Sequence, residues 1–263
     1  MYNSLFSYVD EAVLYVVCID DETYRVLDRM SPPNMYAVKA EEIEDEKLLT
    51  VRNERSLSEY CWTLKPVIIQ YLYDNKTGAD IIAYLDSDLY FFSNPLKLFN
   101  RSGAWNVIFS THKVNKRANG GFVAFKAGNT AKEALSWWKE SCIEWCYAMN
   151  DNGKFGDQGY LDIMAQKFKG VKKIDLPGVN AAPWNSYRYD LSLKDGKVYI
   201  GRSPLIFYHF SGLRLKKLGS IVAITGTDIP CILCQTYFKE LQKSIAEIGK
   251  IDNSICENFY TGI

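Results

Sequence analysis

Apolar positions along the chain follow two alternating periods. Residues 13–19 form a continuous run rich in Val and Tyr, which predicts a buried strand, and Asp21–Met30 has helical spacing closed by Ser31-Pro32-Pro33. Residues 34–38 predict a second strand. From about 56 to 73 the spacing is helical again, ending in the turn-forming stretch 75–78. Ile81–Leu85 is then a short unbroken apolar run, the pattern of a fully buried parallel strand. Residues 107–110 and 122–125 are further strands. Residues 130–149 predict a long amphipathic helix with Leu135, Trp138, Cys142, Trp145 and Cys146 on one face, and a helix over 158–168 follows. Beyond it the pattern shortens to strands at Lys197–Ile200 and 205–210, and residues 235–250 predict a terminal amphipathic helix.

Alternating strand and helix, without internal repeats or a Gly/Ser-rich linker, predicts an α/β protein with a mostly parallel central sheet flanked by helices. In such sheets ligands bind beyond the carboxyl ends of the strands, so the residues after each apolar run are the ones to inspect.

Composition narrows the classes. The chain has 263 residues, 48% hydrophobic and 14% aromatic, which excludes low-complexity disorder. Lys+Arg and Asp+Glu are both 31, which argues against a nucleic-acid binder, since phosphate contacts require a basic excess. The balance conceals an asymmetry: residues 1–100 carry 17 acids against 9 bases, and the rest 14 against 22. No apolar stretch approaches the ~20 residues of a membrane span and no signal-peptide pattern opens the chain. Lys239, Lys243 and Lys250 fall on one side of the last predicted helix, a pattern that peripheral membrane contact would use and that a solvated face explains equally well. Seven scattered cysteines read as reduced thiols, and Cys231-x-x-Cys234 has no second pair at zinc-ligand spacing. Two histidines exclude any mechanism needing several imidazoles.

The leading candidate for chemistry is Asp86-Ser87-Asp88, directly after the Ile81–Leu85 run. Two carboxylates at a strand end are costly unless a cation compensates them, and a hard divalent ion such as Mn²⁺ or Mg²⁺ suits carboxylate oxygens. A turn with two solvated aspartates explains the same residues. His209 sits in an apolar run, either as a hydrogen-bonded core residue or as a third ligand. Arg214, Lys216 and Lys217 follow it and could hold phosphate oxygens. Asn119-Gly120-Gly121 precedes a predicted strand, where glycines allow close backbone approach or a plain turn. Gly156-Asp157-Gln158 opens a helix, where Asp157 suits an N-terminal cap. Pro183-Trp184-Asn185 offers an indole at a site rim or in the core.

In this order the pieces resemble the nucleotide-sugar glycosyltransferases of the GT-A (Rossmann-like) fold, and the family 8 type most closely. The resemblance rests on Tyr84-Leu85-Asp86-Ser87-Asp88, Asn119-Gly120-Gly121-Phe122-Val123, Asp157-Gln158-Gly159-Tyr160-Leu161 and His209-Phe210-Ser211-Gly212, over about residues 12–216. It implies a GT-A domain over 1–218 with a 219–263 extension. It also implies a metal-dependent transfer of sugar from a nucleotide diphosphate donor, a UDP-sugar, to a glycan or other acceptor in the cytoplasm, with retention and no obvious general base. Asp86, Asp88 and His209 would hold Mn²⁺ or Mg²⁺. Gln158 and Asp157 would face the sugar near the reacting carbon, with Asn119 and Gly120 lining the pocket. Gly212 would approach the diphosphate, Ser87 and Trp184 belong to the donor side, and Arg55 and Lys65 are further donor-side candidates. The family's Lys six residues after the His is Leu215 here, so Arg214 or Lys216 would take that duty.

Members of the family normally begin with a strand that contacts the base. Met1-Tyr2-Asn3-Ser4-Leu5 reads as already within the helix that follows it, so the first strand is expected to be missing. Two alternatives stand beside the resemblance. One is a glycosyltransferase-fold protein that binds sugar without turnover. The other is a haloacid-dehalogenase-type phosphatase, whose later motif Gly156-Asp157…Asp162 would match, although Tyr90 stands where that family has Thr or Val.

Overall fold

The structure is a computed structural model that describes residues 1–75, 78–112, 114–216, 220–223 and 230–261. Its helices are α1 (Tyr2–Phe6), α2 (Asp21–Met30), α3 (Glu46–Glu54), α4 (Leu57–Asn75), α5 (Lys97–Arg101), α6 (Asn129–Glu144), α7 (Gln158–Lys167) and α8 (Cys231–Ile251). The strands are β1 (Leu14–Cys18), β2 (Met35–Lys39), β3 (Ile81–Leu85), β4 (Leu89–Phe91), β5 (Val107–Thr111), β6 (Ala118–Lys126), β7 (Val171–Ile174), β8 (Leu191–Lys194), β9 (Lys197–Ile200), β10 (Ser203–Pro204), β11 (Phe207–His209), β12 (Leu213–Lys216), β13 (Ser220–Ala223) and β14 (Tyr260–Thr261). No helix among the described residues is long and apolar enough to cross a membrane.

The chain gathers into two compact units. One comprises residues 41–87 and 96–179, the other residues 1–40, 88–95 and 180–263. The first is built on a four-stranded sheet of order β3-β6-β5-β7. Its core joins Val107, Phe109, Val123 and Phe125 of the sheet to Ala134, Leu135, Trp138 and Cys142 of α6 and to Leu161 and Met164 of α7. The helical spacing of those apolar residues puts them on the sheet-facing side. Trp138 stacks on Phe125 with ring centroids 6.1 Å apart.

The expected mostly parallel sheet holds in strand direction: β3, β5 and β7 run the same way, and β6 alone is reversed, pairing antiparallel with both β3 and β5. β3 is half-buried rather than fully buried, with Ala83 exposed. Asn119-Gly120-Gly121 lies inside β6, at a register shift between Phe109 and Ser110 on β5, rather than ahead of the strand. Such a bulge bends the strand and re-aims side chains. The predicted helix over 130–149 stops at Glu144.

In the second unit β1 and β2 pair in parallel, and α2, capped by the Asp20 carboxylate accepting the Thr23 N–H at 2.7 Å, connects them. β11 pairs antiparallel with β4, setting His209 opposite Leu89. Leu205, Tyr208, Phe210, Leu233 and Tyr237 form its core, with Phe210 and Tyr237 stacked at 3.9 Å.

Candidate functional site

Asp86 follows the last residue of β3. Its N–H donates to the Gly121 carbonyl at 2.9 Å, so β6 fixes the point at which the carboxylate leaves the sheet. Opposite stands Lys65, in the middle of α4 and 5% exposed. A buried ammonium is tolerated only when paired. Nζ lies 3.2 Å from Asp86 Oδ1 and 3.4 Å from Asp157 Oδ2, donates to the Gly120 carbonyl at 3.3 Å, and sits 5.0 Å from the Tyr84 ring centroid. Burial alone would push the Lys65 ammonium down, but Asp157 and Asp86 overcome it and hold it well above the ordinary lysine range. Burial pushes the Asp157 carboxyl up, with Lys65 opposing and Asp86 adding to the shift.

Asp157 occupies the N-cap position of α7, yet its side chain makes no capping hydrogen bond; the carboxylate is turned to Lys65 instead. Its backbone carbonyl accepts the Trp138 indole N–H at 3.0 Å, tying the start of α7 to the core. Gly120 is where Asp157 comes closest to β6, and a Cβ there would stand 2.3 Å from Asp157 Oδ2. Gln158, the first residue of α7, reaches His112 at 3.4 Å, and Asn119 reaches the same imidazole nitrogen at 3.4 Å. Asn119, Gly120, Asp157, Gln158, Lys65 and Asp86 are thus brought together in one unit.

In the other unit, Asp88 opens the turn into β4. The Phe210 N–H donates to the Asp88 carbonyl at 2.9 Å, and the β4–β11 register brings His209 beside it. His209 Nε2 lies 3.0 Å from Asp88 Oδ1. His209 Nδ1 lies 3.2 Å from Asn180 Oδ1, an orientation that turns Nε2 toward Asp88. Trp184 meets the His209 ring edge-on with centroids 5.3 Å apart, so its indole borders the imidazole. Asn185 beside it is spent on the backbone, its amide bridging Ala182 N–H and the Asn180 carbonyl. Gly212, three residues past β11, has φ 73°, a conformation that favours glycine. Arg214 is exposed on β12, Lys216 ends that strand, and Lys217 lies outside the described residues.

Ser87 is exposed and joins the two groups covalently. Asp86, Asp88 and His209, two carboxylates and an imidazole, form a group that could hold a metal ion, the only such group among the described residues.

Arg55 has a different set of partners. Its guanidinium donates to the Cys142 and Ile143 carbonyls at 2.7 and 2.6 Å and bonds the Thr63 hydroxyl, closing the last turn of α6, and it lies over the Tyr147 ring. Asp162, which the phosphatase alternative requires, accepts the Ala118 N–H at 3.1 Å and pairs with Lys173 at 2.6 Å. Cys231 and Cys234 are free thiols.

Two site-forming residues escape the sequence. Asn180 is buried at φ 56°, a left-handed position that Asn tolerates, and the only hint of it is an Asn in an otherwise apolar stretch. His112 directly follows β5 and belongs to no motif.

The model of the family described as nucleotide-diphospho-sugar transferase matches residues 12–172. The Bacillus subtilis (strain 168) protein YfnF, described as uncharacterized, is 34% identical over 252 residues, covering 88% of this chain and 83% of its own length. YfnD of the same organism, also uncharacterized, is 37% identical over 229 residues, covering 82% and 73%. Among solved structures, the fold is similar to that of the galactosyltransferase LgtC in complex with donor and acceptor sugar analogues, at 14% identity and TM-score 0.50, covering 80% of this chain and 81% of that one. It is similar as well to mouse xyloside xylosyltransferase 1 in its apo form, at 13% identity and TM-score 0.50, covering 87% and 91%.

Proposed function

Because the chain belongs to the nucleotide-diphospho-sugar transferase family, we propose that it is a metal-dependent glycosyltransferase of the family 8 type. Its fold is the GT-A nucleotide-diphospho-sugar transferase fold. In this reading it moves a sugar from a UDP-sugar to a glycan acceptor, with retention at the anomeric carbon. Its setting is the cytoplasm, peripheral to a membrane where surface glycan is assembled.

The observation that carries the reading is the pairing of Asp88 with His209 at 3.0 Å, two residues after Asp86 in the chain. Two carboxylates and one imidazole oriented by Asn180 suit Mn²⁺ or Mg²⁺, and the donor set therefore fits the ion the family implies. When bound, that ion supplies Lewis-acid neutralisation of the diphosphate leaving group. Arg214 and Lys216 add positive charge after His209, and cations at developing negative charge favour departure of the nucleoside diphosphate. Gly212 lets the backbone approach the diphosphate closely.

On the sugar side, Gln158 and Asn119 offer amide groups to the sugar hydroxyls. Asp157 is 4% exposed and held by Lys65, so it orients rather than accepts a proton from solvent-side acceptors. Inverting transfer needs a base within hydrogen-bond reach of the acceptor hydroxyl. Asp157 is the one motif residue suited to that part, and its engagement with Lys65 supports retention.

Isothermal titration of the purified chain with UDP, in Mn²⁺ and again in EDTA, tests the reading. Metal-dependent binding that disappears in Asp88→Ala is the expected result, followed by transfer or hydrolysis of a UDP-sugar. Absence of binding in both conditions would sink UDP-dependent transfer. Metal-dependent binding without transfer or hydrolysis would favour a protein that holds the nucleotide without turnover.

A further inference from the structure

His112 carries none of the roles assigned above. Its Nε2 faces two amides at once, Oε1 of Gln158 on α7 and Nδ2 of Asn119 on β6, each at 3.4 Å. The orientation of Asn119 is fixed by its other end. Asn119 Oδ1 accepts the Gly121 N–H at 3.1 Å and lies 3.4 Å from Ser110 Oγ, so the end turned to His112 is the NH₂, a donor.

An imidazole nitrogen presents either a hydrogen or a lone pair. Asn119 therefore requires the lone pair at Nε2, which places the ring proton on Nδ1. A lone pair repels a carbonyl oxygen and accepts from an amide NH₂. The two ends of the Gln158 amide have nearly the same shape, so a half-turn about its last side-chain torsion exchanges them and hydrogen bonding decides between them. We propose that His112 is a positioning residue that sets the direction of the Gln158 amide. As the Nδ1–H tautomer, with its Nε2 lone pair given to the Asn119 NH₂, it repels the Gln158 carbonyl oxygen, which turns the Gln158 NH₂ inward and leaves the carbonyl oxygen for the ligand. The ligand group met there is a hydrogen-bond donor, a sugar hydroxyl. This last clause rests on the proposed placement of Gln158 against the sugar; the orientation of the amide does not.

The chain has two histidines, so imidazole nitrogen NMR of the whole protein gives two sets of signals, and the set lost in His112→Gln belongs to His112. At neutral pH, His112 Nε2 should resonate as an unprotonated acceptor and Nδ1 as a protonated nitrogen. In Gln158→Glu, whose oxygens both accept, the proton should move onto Nε2. A protonated Nε2 in the wild-type protein overturns the proposal.

Kinetics with a UDP-sugar separate positioning from structure. His112→Leu should lower kcat about tenfold with donor KM unchanged, a barrier change of about 1.4 kcal/mol. His112→Gln, which restores an amide acceptor near the place of Nε2, should recover most of the loss. Equal losses in the two variants would overturn the positioning role. Absence of any transfer or hydrolysis by the wild-type protein would overturn the glycosyltransferase reading alone, while the nitrogen spectrum would still support or overturn the direction of the Gln158 amide.

Discussion

Gly120 and Asp157 meet so closely that a Cβ at position 120 would stand 2.3 Å from Asp157 Oδ2 and 3.3 Å from Lys65 Nζ. The glycine thus leaves the space in which β6, α4 and α7 bring their polar groups together. Gly120→Ala should displace the Asp157 carboxylate and lengthen its contact with Lys65. Overpacking at such a point costs about 1–3 kcal/mol. Urea denaturation should show that loss, and UDP titration in Mn²⁺ should show weaker binding than wild type. A variant with wild-type stability and affinity would mean that the carboxylate has room to move without consequence.

Lys65 is the counter-charge for two carboxylates, and its removal should leave them facing each other. Breaking a buried ion pair by removing one partner costs about 3–5 kcal/mol. Lys65→Met should lose stability on that scale at neutral pH. The pH dependence has a definite sign. Asp157 is a carboxyl raised above its ordinary 3.8 by burial, so it costs stability as pH rises through the interval above that value. Without Lys65 the interval widens, and the variant should regain stability as pH is lowered toward the ordinary 3.8, more steeply than wild type. In the wild-type protein the Lys65 contribution is fully present below 10.5 and is lost only as pH rises through its raised folded value. Urea midpoints across pH for both proteins check this; parallel curves would contradict it.

Much of this arrangement is written in local sequence. The strand β1, the helices α2, α4 and α7 and the approach to Asp86 follow from runs and periods that short windows carry. The sense of strand pairing does not. Ile81–Leu85 reads as a buried parallel strand because an apolar run carries no information about its neighbour, and β6 pairs with it in the opposite direction. Asn119-Gly120-Gly121 reads as a segment ahead of a strand, for close backbone approach or a plain turn, whereas here it lies within β6 at a bulge. Asp157 reads as a helix cap and occupies the cap position, but a lysine 92 positions earlier takes its side chain. Asn180 acts on His209 across 29 residues, and no local pattern could announce it.

Arg55 provides a control for the site. Its guanidinium satisfies two carbonyls at the end of α6, groups that the helix itself leaves without partners. Arg55→Ala should lower stability by about 2–4 kcal/mol, since hydrogen bonds to a charged donor are worth about 1.5–3 kcal/mol each and do not add fully. UDP affinity of the folded fraction should stay at the wild-type value. Loss of affinity at unchanged stability would return Arg55 to the donor side.

Metal linkage tests the Asp86, Asp88 and His209 group without reference to turnover. An ion that binds only the folded chain stabilises it by about 2.7 kcal/mol at a hundred times its Kd. Mn²⁺ should therefore raise the Tm of the wild-type protein, and EDTA should reverse the rise. Asp88→Asn and His209→Ala should abolish it, because each removes a ligand from a group of three. Asn180→Ala is the more discriminating variant. It keeps all three ligands and removes the oxygen that faces His209 Nδ1 at 3.2 Å. Loss of such an orienting partner typically weakens metal affinity about 10–100-fold. The Mn²⁺ midpoint in Asn180→Ala should shift upward by that factor while the fully saturated Tm gain remains attainable. An unshifted midpoint would show that the imidazole needs no help from Asn180 to present Nε2.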